Sequence, residues 1–382
     1  MVWAALSLAP LAFLVSVLAT GVMWRLGHRL RAYDAAGVAG QVKLKPRRVP
    51  NTGGVGIYAG LALPLLAIVA SIALVDADWL ARALPAAAVH LPGARARLPE
   101  ALTLLASLTI LHLLGLIDDR RPLGPGLKLG VMACAAFAFP ILTQTRLLEL
   151  LDPHVGGPWL SYAVTALWIL IVTNAMNFMD NMDGLSAGTG AIAASCFLSA
   201  ALASGQWFVA GTLALLVGTL AGFLVFNAPR PRGALLFMGD SGSLVLGFAL
   251  AVLAVRTTYV DPARGPTPWY GVFIPLAILA IPLYDFTSVT IIRLSQGRSP
   301  FVGDLQHFSH RLVRLGLSRR SAVAVIWGCA AITGFTGIML PALRGWQALL
   351  AAAQVVLILL VLALFEWARA RSGPDAELSG KP

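Results

Sequence analysis

Apolar residues run along this chain in blocks of about twenty, separated by short polar connections. A helix needs about 20 consecutive apolar residues to cross the hydrocarbon core of a bilayer. Eleven blocks qualify, at approximately 3–24, 53–75, 100–117, 128–145, 159–176, 186–204, 206–226, 241–257, 270–292, 322–341 and 346–367. The pattern predicts an all-α fold, a polytopic membrane helix bundle with about 11 transmembrane helices. The first block is too long and too weakly flanked for a cleaved signal peptide, and further spans follow it, so it is expected to be the first membrane helix.

Composition agrees with this class. Of 382 residues, 58% are hydrophobic and 12% charged, with a mean hydropathy of +0.81, whereas soluble domains carry roughly 25% charged residues. A net charge of +11 would suggest nucleic acid in a soluble protein, but here it is split into short clusters between spans. Alternate connections hold 21 of the 28 Lys and Arg residues, the bias expected of loops on the cytoplasmic side. That places the N-terminus outside and the C-terminus in the cytoplasm, and it excludes nucleic acid as the explanation of the charge. Cys134, Cys196 and Cys329 stand alone in apolar stretches, so neither a zinc site nor a disulfide framework is signalled. No repeat interrupts the chain. Residues 1–368 read as one integral membrane domain and 369–382 as a polar, disordered cytoplasmic tail.

The acidic motifs all fall on the positively charged side. The block ending Gly115-Leu116-Ile117 runs into Asp118-Asp119, followed by Arg120, Arg121 and Lys128. Adjacent carboxylates at a membrane face raise each other's pKa unless a cation neutralises them, and a hard oxygen-binding metal such as magnesium would do so; a solvated charged turn is the plain alternative. Asn174, Asn177, Asp180 and Asp183 recur every third residue up to Gly184. Such a stripe drifts about 60° per step, so one ideal helix cannot present all four on one face. The helix is expected to end near Gly184 and offer amides to a nucleobase and carboxylates to a ribose or metal, unless the stripe is an interhelical polar seam. Asn227 closes another block, and Gly239-Asp240-Ser241-Gly242 opens the next, where Asp240 suits an N-cap with glycines that admit a phosphate or metal. The longest basic loop carries His307, His310 and Arg311, which could bind a diphosphate through charge-assisted hydrogen bonds. Zinc would need further ligands that the loop lacks. The stretch from Lys43 to Gly54 could hold an anionic substrate or lipid headgroups.

In this order, the loops from about Lys43 to Leu315 resemble the polyprenyl-phosphate N-acetylhexosamine-1-phosphate transferases, of the glycosyltransferase 4 type. The resemblance is greatest to UDP-GlcNAc:undecaprenyl-phosphate GlcNAc-1-phosphate transferases, with a relation to the phospho-MurNAc-pentapeptide translocase. It implies transfer of a sugar 1-phosphate, GlcNAc-1-phosphate foremost, from a UDP-sugar to polyprenyl phosphate with release of UMP. It also implies Mg2+ as cofactor, with Mn2+ as a substitute, and an inner-membrane enzyme whose site faces the cytoplasm. Carried over, Asp118, Asp119, Lys128 and Asp240 are the catalytic candidates, with Asp118, Asp119 and Asp240 on the metal. Asn174, Asn177, Asp180, Asp183, Asn227, His307, His310 and Arg311 would bind the nucleotide sugar. UDP-sugar, polyprenyl phosphate and membrane lipids are the implied partners, with a homodimer as a further candidate.

The chain departs from the commonest family pattern in two motifs. Asn181 stands where a Gly is usual in the Asp-Gly-x-Asp-Gly run, and Ser309 replaces the middle His of His-x-His-His-Arg. The loop at 43–54 also lacks the His often seen there. Two other functions would leave different marks on the sequence. A transporter would place charges deep within spans, whereas these motif carboxylates cluster at one face. A CDP-alcohol phosphotransferase would need an Asp-Gly-x-x-Ala-Arg signature, which is absent.

Overall fold

The computed structural model describes residues 1–33, 48–257, 269–300 and 304–371. Among these, ten helices are long and apolar enough to cross a membrane, and a bent pair makes an eleventh crossing if its halves form one span. In chain order they are α1 (Val2–Arg29), α2 (Gly53–Leu74), α3 (Leu98–Arg120), α4 (Pro125–Thr143), α5 (Trp159–Phe178), α6 (Leu185–Ala203), α7 (Trp207–Asn227) and α8 (Asp240–Thr257). The bent pair is α9 (Ile274–Ile278) with α10 (Ala280–Ser295), and α11 (Phe308–Arg314) is a short helix outside the spans. The last two crossings are α12 (Arg319–Met339) and α13 (Gly345–Arg371). Apart from isolated bridges there is no strand among the described residues.

Expected and observed span limits differ by no more than five residues. The block at 270–292, expected as one span, instead bends by 71° between Ile278 and Ala280. Pro282 explains the place: it has no N–H to offer the carbonyl of Ile278, and its ring crowds that carbonyl. The basic residues Lys43, Lys45 and Arg47 and the tail from 372 onward lie outside the described residues.

The most buried helix is α8, with 89% of its apolar window inside the bundle, against 17% for α1 and α13. Helices α2, α3, α5 and α6 surround it. Without a hydrophobic driving force between helices in lipid, such packing needs small residues that let backbones close. Gly247 is one: a Cβ there would lie 2.7 Å from the Cα of Thr173 in α5. At one end of the bundle, Arg256 of α8 pairs with buried Glu100 of α3. The other end of the same two helices carries Asp119 and Asp240, and there the motifs meet.

Candidate active site

The aspartate pair belongs to the last turn of α3 and not to a loop. A helix C-terminus repels negative charge, so both carboxylates depend on partners elsewhere. Asp118 Oδ1 accepts from the Leu123 amide at 2.6 Å, and Lys128 Nζ donates to its Oδ2 at 3.1 Å. Asp119 reaches across to α8: its Oδ1 accepts from the amide of Asp240 at 2.9 Å and its Oδ2 from that of Ser241 at 3.1 Å. Asn51 Nδ2 donates to the same carboxylate at 3.1 Å.

This corrects the expected N-cap. The capping carboxylate of α8 is Asp119, from a helix 121 residues earlier, and Asp240 is left free to turn its side chain to the site. Close approach makes this possible. A Cβ on Gly115 would collide with the backbone of Asp240 and Ser241, and one on Gly239 would fall 2.6 Å from Asp119 Oδ2. Gly239 also has a φ of +69°, which a side chain would strain.

Asp240 Oδ1 accepts from Asn177 Nδ2 at 2.8 Å, and its Oδ2 takes a bond from Lys128. Lys128, in the first turns of α4, therefore bridges Asp118 and Asp240. Asn177 also donates to Ser243 at 2.9 Å. Helix α5 stops at Phe178, short of the expected Gly184, which stands at the N-cap position of α6 with a φ of +75°. In the turn between, burial first, and then the charges of Asp240 and Asp119, push the Asp180 carboxyl well above the usual range. Asp183 Oδ2 accepts from the Ala234 amide at 2.8 Å.

Asn227 is buried and spent on backbone, accepting from Gly184 N and donating to Leu236 O, each at 2.9 Å. It staples the turn at 179–184 to the loop before α8. Asn174 lies a turn deeper in α5 and donates to Leu170 O of its own helix at 2.8 Å.

The basic loop, expected to clamp a diphosphate, is held by partners within the protein. His307 is only 6% exposed, with Nδ1 2.9 Å from Asp285 Oδ2 and Nε2 3.5 Å from Arg293. Arg293, 1% exposed, donates to Asp304 at 3.0 Å and to the carbonyl of Pro300 at 2.6 Å. Burial works against the Asp304 charge, but Arg293 and the Gln306 amide outweigh it and hold its pKa below the usual range. Arg311 donates to Glu366 of α13 at 2.8 Å and to Ser288 of α10 at 2.8 Å. His307 and Arg311 are thus engaged with the protein itself. Burial, then the nearby His307 and Arg319, lowers the His310 pKa to about 4, which leaves a neutral imidazole near pH 7. The two departures from the family pattern meet: Ser309 Oγ donates to Asn181 Oδ1.

Four participants were not singled out from the sequence. Asp285 and Glu366 carried a usable signal, since a carboxylate within an apolar span needs a partner. Arg293 is indistinguishable in sequence from the other basic residues of its loop, and Asn51 stands at the end of a stretch marked mainly by its charge. Three stretches of sequence more than 50 residues apart in the chain supply the Asn51, Asp119 and Asp240 contacts.

Comparison with known proteins decides the family. Residues 101–258, which span the Asp118–Asp119 pair through α8, match the sequence model of glycosyl transferase family 4. The "Decaprenyl-phosphate N-acetylglucosaminephosphotransferase" of Mycobacterium tuberculosis is 31% identical over 85% of this chain and 79% of its own length. The chain belongs to glycosyl transferase family 4. A "Probable undecaprenyl-phosphate N-acetylglucosaminyl 1-phosphate transferase" of Bacillus subtilis is 30% identical over 66% of this chain and 70% of its own. The "Undecaprenyl-phosphate alpha-N-acetylglucosaminyl 1-phosphate transferase" of Escherichia coli K12 is 26% identical over 76% of this chain and 72% of its own. In this family member the matched segment holds every carboxylate of the Lys128 cluster, whereas the lattice around His307 and Arg311 falls outside it.

Proposed function

We propose that the protein transfers N-acetylglucosamine 1-phosphate from UDP-GlcNAc to a polyprenyl phosphate at the cytoplasmic face of the inner membrane, releasing UMP. The observation that carries this reading is the gathering of Asp118, Asp119, Asp180 and Asp240 at one end of a membrane bundle, with Lys128 bridging Asp118 and Asp240. A lipid phosphate must stay at that depth, and a nucleotide sugar can reach it only from water. The relatives' names speak of the same acceptor class and sugar, and none of those quoted is a transporter.

The chemistry of the donors, carboxylate and amide oxygens, suits a hard divalent cation, although among the described residues no three acidic or histidine side chains stand ready-arranged around one point. Lys128 bridges Asp118 and Asp240, and burial first, then the charges of Asp240 and Asp119, raises Asp180 beside them. Asn51 Oδ1 is a buried oxygen acceptor beside them with no hydrogen bond among the described residues. Asp118, Asp119 and Asp240 would hold Mg2+, with Asp180 adjacent. When bound, the ion neutralises diphosphate charge and stabilises the departing UMP.

The chain's own contribution is position and charge. Lys128 meets the phosphate that enters between Asp118 and Asp240. Asn177 fixes the orientation of Asp240, and the Asn227 staple fixes the 179–184 turn where the nucleotide would lie. An oxygen of the lipid phosphate forms the new bond to the sugar-bearing phosphorus, and the bond from that phosphorus to the bridging oxygen breaks, leaving with UMP. No proton need move, because a phosphate monoester is ionised at neutral pH. We favour this direct attack over an aspartyl-phosphate intermediate. Purified protein with Mg2+, polyprenyl phosphate and a panel of UDP-sugars tests the proposal. UMP should appear with UDP-GlcNAc and require the lipid; UMP with no sugar in the panel overturns it.

A further inference from the structure

Helix α3 carries a buried histidine with no part in the chemistry above. His112 is 5% exposed and precedes Asp119 by two turns on the same face of the helix. A polar side chain inside a membrane span is costly and calls for a partner. The Nδ1 atom of His112 lies 3.0 Å from the main-chain carbonyl of Ser241, the second residue of α8. A carbonyl only accepts, so Nδ1 carries the proton. The ring stacks on Tyr58 of α2, with centroids 4.3 Å apart and planes 4° from parallel. Tyr58 is itself tied to α3: its hydroxyl is 2.7 Å from Thr109 Oγ1, and because Thr109 donates to Leu105 O, Tyr58 supplies the proton of that bond.

Ser241 is therefore held on both sides by one helix. Its amide donates to Asp119 Oδ2 at 3.1 Å, and its carbonyl accepts from His112. Glycines bring the three helices close enough for this. A Cβ on Gly54 of α2 would lie 2.4 Å from the amide nitrogen of Gly242, and one on Gly115 would lie 2.3 Å from that of Ser241. Such contacts set the distance between helices but not their rotation, because a surface without side chains has no ridges to interlock. Two hydrogen bonds from residues two turns apart on α3 do set it. The side chain whose direction they fix is that of Asp240, next to Ser241, which turns one carboxylate oxygen to Asn177 and the other to Lys128.

We propose that His112 is a positioning residue for the transfer, holding the first turn of α8, through the Ser241 carbonyl, in the rotation that aims Asp240 into the site. The inference rests on the transferase reading above and adds a residue that acts through α8 and not on substrate. Misplacing a catalytic group by about 1 Å costs on the order of a hundredfold in rate, so a partial loss of this hold is read in kcat. The stack on Tyr58 serves stability and the Nδ1 bond serves the aim of Asp240, and substitution separates the two.

His112→Phe keeps a ring on Tyr58 and removes the donor. The Ser241 carbonyl retains its helical acceptor role within α8, so the unfolding midpoint should fall by no more than about 2 °C. Its kcat should fall about tenfold with KM for UDP-GlcNAc unchanged, the mark of an interaction that counts in the transition state. His112→Asn returns an N–H donor near the place of Nδ1 but gives up the stack. The order should then reverse, with kcat within about threefold of wild type and a midpoint lower by roughly 4 °C. A merely structural histidine predicts that rate follows stability. Normal kcat in His112→Phe, or a lower kcat in His112→Asn than in His112→Phe, overturns the proposal.

A second readout does not need turnover. In nitrogen NMR spectra of protein labelled at histidine, the signal that disappears in His112→Phe should be that of an Nδ1–H tautomer. An Nε2–H tautomer there overturns the hydrogen bond and the proposal with it. If the wild type releases no UMP while that signal is Nδ1–H, the transferase reading fails and the hold on α8 stands.

Discussion

Replacing Asp119 with alanine removes the acceptor of three N–H donors at once: the amides of Asp240 and Ser241 and the side chain of Asn51. Loss of an N-cap costs about 1 kcal/mol, and each buried donor left without a partner costs about 1–3 kcal/mol. Relief of repulsion with Asp180 and Asp240 works the other way, so a net loss of roughly 2–4 kcal/mol is expected. Because α8 is the most buried helix, this loss should be felt globally and not as local fraying. Asp240→Ala removes only the acceptor of Lys128 and Asn177 side chains, which are half-buried and can rehydrate, and should cost about 1 kcal/mol or less. At about 2 °C per kcal/mol for a chain of this size, unfolding in detergent should fall by roughly 4–8 °C for Asp119→Ala and by no more than about 2 °C for Asp240→Ala. Both variants should lose UMP release. Equal midpoints, or a larger fall for Asp240→Ala, would refute the division between a capping aspartate and a site aspartate.

Further outcomes follow from the same geometry. Asn181→Gly and Ser309→His should each raise KM for UDP-GlcNAc by severalfold, and the double variant should be no worse than the poorer single one; simple multiplication of the two effects would show that the Asn181–Ser309 bond couples nothing. Chelation with EDTA should stop UMP release and Mg2+ should restore it, with Mn2+ a partial substitute; turnover that survives exhaustive chelation rules out the metal role. Arg311→Gln and Glu366→Gln should lower thermal stability alike while leaving magnesium dependence untouched, and a selective rise in KM for UDP-GlcNAc with Arg311→Gln alone would return that arginine to the substrate. His310 titrates near 4 in the folded protein against about 6.5 unfolded. Above pH 6.5 it is neutral in both states and contributes nothing to the pH dependence. As pH falls from 6.5 towards 4 the unfolded chain gains the proton first, so stability drops across that window. His310→Gln should flatten this acid slope, measured as unfolding midpoint against pH.

The hydrophobic pattern contained most of the fold, because a membrane span is specified by length and apolarity alone. What it could not contain was the bend between α9 and α10, where the apolar run continues unbroken across Leu279 and Pro282 removes the N–H that would bond the Ile278 carbonyl. In the site, the carboxylates around Lys128 were legible because each stands out as a charge beside an apolar block. Their partners were not. Asp119 caps a helix 121 residues away, a relation without any local sequence trace, and the residue that looked like the cap, Asp240, sat in the right composition for it. His307 and Arg311 read as ligand groups because basic residues on the positive side have no visible partner in sequence. Their partners, Asp285 and Glu366, lie in separate apolar blocks and meet them only in the folded bundle.

UDP-GlcNAc labelled only at its sugar-bearing phosphate shows directly which bond is broken. With purified protein, Mg2+ and polyprenyl phosphate, the label should pass into the lipid fraction together with the sugar, leaving unlabelled UMP. Label that remains with the nucleotide as UDP while sugar enters the lipid would mean cleavage at the sugar carbon, and would contradict sugar-phosphate transfer.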